Sequence, residues 1–68
     1  MTKRARPHFR VSEYPSGDFF IVLEQLDGDR LELTRRLIGF DLPSGTKADK
    51  AEAVRKFLTD NLVLVTET

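Results

Sequence analysis

The chain has 68 residues and no cysteine. Neither a disulfide framework nor a thiolate metal site can form, so a packed core must stabilise the fold alone. Secreted domains of this size are usually stapled, and the missing cysteines therefore point to a reducing, cytoplasmic setting. Neither charge sign is in excess, since 11 basic and 11 acidic residues cancel. Dedicated nucleic-acid binders carry a basic surplus, so this balance argues against one. No apolar run approaches the roughly 20 residues that span a bilayer. The basic start, Met1 to Pro7, is not followed by the apolar stretch of a secretory signal, and no membrane partner is expected.

Residues that carry chemistry are equally scarce. His8 is the only histidine, and a lone imidazole supports neither a catalytic triad nor a transition-metal site. The four glycines show none of the spacings of a phosphate-cradling loop. Asp27, Asp29 and Glu32 cluster at a turn but lack the ligand spacing of a calcium loop. Ser16 and Ser44 each stand in a Pro-Ser-Gly turn without a neighbouring base. The expectation is a protein that is not an enzyme, with no cofactor and no metal.

What is present reads as one domain. Residues 1–7 look like a flexible basic arm ended by Pro7, and residues 8–68 as a single α+β unit. A first strand runs from His8 to Tyr14. Pro15-Ser16-Gly17-Asp18 turns the chain, and a second strand runs from Phe19 to about Leu26. A loop of two or four residues sets Ser12 opposite Ile21 and Val11 opposite Val22. Asp27-Gly28-Asp29 is a strong hairpin signal. It leads into a third strand from Arg30 to about Phe40, with a bulge or bend at Gly39. After Leu42 to Thr46, a helix is expected over about 47–62, with Thr46 or Asp49 as N-cap. Ala51, Val54, Phe57, Leu58 and Leu62 form its apolar stripe. Leu62 to Thr66 is β-branched and apolar and reads as a short final strand, or else as an extended tail on the core. The fold class is thus a three-stranded antiparallel meander followed by one amphipathic helix and a short strand.

The second strand carries the functional argument. Phe19-Phe20-Ile21-Val22-Leu23 does not alternate, whereas a sheet with one wet face should. Phe19, Ile21 and Leu23 line one face, joined by Tyr14, and Phe20 and Val22 line the other with Phe9 and Val11. One helix shelters only one face, and large exposed apolar patches mark interaction sites. Tyr14, Phe19, Ile21 and Leu23 are the candidate contact residues. The expected partner is another protein chain or a second copy of this one, held through a sheet face or an edge strand.

The alternative expectation is a nucleic-acid surface. Lys3, Arg4, Arg6, Arg10, Arg30, Arg35 and Arg36 hold seven of the eleven positive charges. Arg4 and Arg6 on the arm, with Arg10, Arg30 and Arg36 on the strands, are its candidate phosphate contacts. The order of elements, together with Ile38-Gly39-Phe40-Asp41 before the helix, resembles the three-stranded DNA-binding domains of AP2 type and of phage integrase arms. That resemblance implies a sheet laid against nucleic acid. Glu24, Asp27, Asp29 and Glu32 interleave with the arginines, a pattern that also fits cross-strand ion pairs on a solvated surface.

Overall fold

The computed structural model describes residues 2–31 and 39–67. Strands β1 (Thr2–Glu13), β2 (Phe19–Gly28) and β3 (Gly39–Asp41) are followed by helix α1 (Ala48–Asn61) and strand β4 (Leu64–Glu67). They form one antiparallel four-stranded sheet in the order β3-β2-β1-β4. The fold is α+β, with the first three strands as a meander and the last added beside the first. Most of the expected third strand, residues 32–38, lies outside the described residues. Arg30 and Leu31 belong to no strand.

The expected arm at 1–7 is corrected: residues 2–7 are strand. Thr2 to Ala5 pair with Glu67 to Leu64, and Ala5 to His8 pair with Gly28 to Gln25. Pro7 inside a strand looks forbidden, because it offers no N–H to the ladder. Backbone direction explains it. Tyr14 N–H donates to the Asp18 carbonyl, and Asp29 N–H donates to the Arg4 carbonyl. Even residues of β1 therefore turn their polar backbone groups toward β2, and odd residues toward β4. Pairing with β4 ends at Ala5, so the donor that Pro7 lacks would have faced no strand. The next odd donor, Phe9 N–H, is taken by Thr59 Oγ1 of the helix at 3.1 Å.

The β1–β2 register also differs from expectation. Val11 faces Ile21, and Ser12 faces Phe20. Tyr14 and Asp18 close the turn through Tyr14 N–H to Asp18 O and Gly17 N–H to Tyr14 O, so three residues rather than two or four span it. The register shifts again between His8 and Phe9, where β2 carries Glu24 as an extra residue. A slip of one residue exchanges faces. Phe9 and Val11 therefore join Ile21, not Phe20 and Val22, and Tyr14 joins Phe20.

Helix α1 lies on the Ile21 face, mainly over β1 and less over β2. Its N-cap is Lys47, with no side-chain cap bond. Thr46 instead donates its hydroxyl to the Pro43 carbonyl, and Asp49 sits in the first turn, where its negative charge suits the helix dipole. Ala51 is fully buried against the sheet, and Val54, Leu58 and Leu62 are half-buried. Phe57 departs from the expected stripe and stands 62% exposed. At 100° per residue it falls on the flank opposite Thr59, whose hydroxyl fixes the other flank over β1.

The core is thin. Among the described residues, Ala5, Phe9, Ile21 and Ala51 are its buried hydrophobic members, joined by Pro7. Phe9 and Phe40 meet at 5.9 Å between ring centroids. β3 reaches β2 closely because Gly39 stands where a Cβ would come 1.7 Å from the Ile21 carbonyl oxygen.

Candidate interaction surface

With even β1 residues facing away from the helix, the bare face can be read across the strands. Arg4, Arg6, His8, Arg10 and Ser12 run down β1. Opposite them on β2 lie Asp27, Gln25, Val22 and Phe20, and Asp41 on β3 is opposite Phe20. Tyr14 closes the row and stacks on Phe20 with ring centroids 4.4 Å apart and planes 29° apart. Its phenol is pushed above the ordinary tyrosine range by desolvation, and the Asp41 carboxylate beside it acts in the same direction. The face is thus aromatic toward β3 and charged toward β4.

The candidate contact residues are not brought together. Tyr14 lies on the bare face and is exposed. Phe19, Ile21 and Leu23 lie on the helix side, where Ile21 is fully buried and the other two are half-buried. Ile21 is core and cannot contact a partner.

The basic candidates fare similarly. Arg4, Arg6 and Arg10 do share one face, at even positions of β1 with His8 between the last two. Arg30 is exposed beyond β2, and Arg36 lies outside the described residues. Acids interrupt the stripe. Arg10 Nε is 3.5 Å from Glu24 Oε1, and His8 Nε2 donates to Asp27. Gln25 Nε2 donates to the same carboxylate at 2.8 Å. That amide bond is the leading cause holding the Asp27 carboxyl below the usual range, with His8 next.

Several features carried no clear sequence signal. Asp18 ties two turns together. It accepts from the Ser44 hydroxyl at 3.3 Å and from Gly45 N–H at 3.2 Å, and so fixes the entry to the helix against the β1–β2 turn. Phe40 (47%) and Val65 (57%) are exposed, and so are Tyr14, Phe57 and Val63. Among the described residues, more large apolar side chains stand exposed than buried. The accessible surface is 5171 Å², whereas a compact monomer of 7.8 kDa would show about 4,400 Å². The molecule is a slab of 40 × 23 × 16 Å, too thin to enclose both sides of its sheet.

Among the described residues, no group of three or more His, Asp or Glu side chains is placed to hold a metal ion. No helix among the described residues is long and apolar enough to cross a membrane. No known protein family, curated protein or solved structure matches this chain.

Proposed function

We propose that the protein is a small, non-catalytic interaction module whose surface is completed by another protein chain. One observation carries this reading: a single helix leaves Tyr14, Phe40, Phe57, Val63 and Val65 exposed over a core of a few residues. The accessible surface exceeds that of a compact monomer by roughly 800 Å². At about 25 cal/mol per Å² of apolar surface, hiding roughly 200–300 Å² of these side chains is comparable with the few kcal/mol of net stability a core this small supplies. The absence of cysteine suits a cytoplasmic location.

Solution mass across a wide concentration range tests the reading, combined with binding of an apolar dye. The expected result is a mass above that of one chain, or a monomer whose dye-binding surface is hidden by a stoichiometric partner. A strict monomer that binds neither dye nor partner would rule the module out.

A second reading is favoured by the alignment of Arg4, Arg6 and Arg10 on the bare face, next to Tyr14. It makes that face a phosphate-contacting surface. Affinity for random duplex or single strands should then fall steeply with salt. Absence of binding at low ionic strength removes it.

A further inference from the structure

We propose that β4 is a self-pairing edge: a second copy of the chain docks antiparallel along it, joining two four-stranded sheets into one of eight. This rests on the interaction-module reading and names its partner and its surface.

Backbone direction carries the inference. Lys3 pairs with Thr66 and Ala5 with Leu64, and odd β1 residues face β4. Leu64 and Thr66 therefore spend their N–H and C=O groups on β1. Val63, Val65 and Glu67 turn theirs outward, and among the described residues no group takes them.

Natural edges are blunted by proline, charge, shortness or cover. β1 beyond Ala5 is blunted by Pro7 and by Thr59 on the Phe9 N–H. β3 shows three residues among those described. β4 is four residues long and carries one charge, Glu67, at its end, but Leu62 to Thr66 contains no charge and no proline and is rich in strand-forming residues.

The register follows from symmetry. A two-fold axis through Val65 sets Val65 against the partner's Val65, and Val63 against the partner's Glu67. All of these outward groups then find a mate, giving about six main-chain hydrogen bonds. The exposed isopropyl groups of Val65 and of the partner's Val65 meet on the face away from the helix.

Charge agrees with this register. Continuing the β1–β4 pairing places Arg6 beside Val63, and both line one hollow of about 380 Å³ together with Arg4 and Asp27. The partner's Glu67 lies on the far side of Val63, two strand spacings or roughly 9.5 Å from Arg6 between backbones. Long side chains of opposite sign bridge that gap.

The test uses the full chain in three forms: unaltered, Val65→Lys, and a synthetic chain with an N-methyl group on the Val65 amide. Sedimentation from low micromolar to millimolar concentration should find the unaltered chain at twice its 7.8 kDa mass. Both altered chains should associate roughly tenfold more weakly or worse, with unchanged far-ultraviolet dichroism. If Val65→Lys loses the fold, the N-methyl chain decides. The Val63, Val65 and Glu67 amides should gain protection from hydrogen exchange as concentration rises. Loss of association in the altered chains, with exchange protection at those amides, supports the edge. An unaltered chain that stays monomeric throughout overturns it. So does a dimer indifferent to both changes. A dimer that survives them but is broken by Phe20→Ser moves docking to the sheet face, which overturns the β4 edge and leaves the interaction module standing.

Discussion

The Phe9 N–H of β1 donates to Thr59 Oγ1 of the helix at 3.1 Å, across fifty residues of sequence. The bond joins a β1 donor that β4 does not reach to the element that covers it. Phe9 itself is only 5% exposed, so its amide has little access to water. An unsatisfied buried donor costs about 1–3 kcal/mol. Thr59→Val keeps the shape and removes the acceptor, and urea unfolding should show a loss of about 1–2 kcal/mol. Thr59→Ser should keep most of the stability. Equal stability in the valine and serine variants would show that the bond contributes nothing.

Gly39 holds β3 against β2. Its φ is +156°, and a methyl group there would overlap the Ile21 carbonyl oxygen. Gly39→Ala should therefore detach β3, at a cost of about 2 kcal/mol or more. Nuclear Overhauser contacts between residues 39 and 22 report the detachment directly. Their persistence in the alanine variant would show that the backbone accommodates a side chain.

Ile21 and Phe57 exchange the roles their sequence patterns suggest. Ile21→Ala removes a fully buried side chain and should cost about 2–5 kcal/mol, enough to unfold a domain this small. Phe57→Ser alters a largely exposed ring, and thermal unfolding should move little, within about 0.5 kcal/mol. A severe loss from Phe57→Ser would place that ring in the core after all.

The Asp27 carboxyl titrates low because Gln25 and then His8 donate to its charged form. A lowered folded pKa confers stability that is fully present above the ordinary aspartate range and is lost as pH falls through the lowered value. The effect is therefore confined to pH below about 4. Carbon-13 titration of the Asp27 carboxyl should give a midpoint below that of a free aspartate. Gln25→Ala and His8→Ala should each raise that midpoint. An unmoved midpoint in either variant would remove that residue from the cause.

The meander, the single helix and the final strand were legible because each rests on a local signal. Pro15-Ser16-Gly17 turns the chain as its residues suggest, whereas Asp27 and Gly28, expected to turn it, end strand β2 opposite Arg6 and Ala5. Ala51, Val54, Leu58 and Leu62 repeat at helical spacing, and Leu62 to Thr66 has little but strand-forming residues. The faces were not legible, because they depend on counting across the Tyr14–Asp18 turn, where one residue more or less exchanges every side chain. Thus Tyr14 parted from Phe19, Ile21 and Leu23, and Phe9 crossed to the core.

Composition and local pattern alone determined that this is a neutral, cysteine-free α+β chain with more strand hydrophobics than one helix can shelter. Only the tertiary structure decided which of them are sheltered. It also decided that Thr2–Pro7 is strand and that β4 ends the sheet with its outward groups unmatched. The physical reason is that an amide's direction alternates along a strand. Whether it meets a mate, a helix hydroxyl or open space depends on a neighbour dozens of residues away.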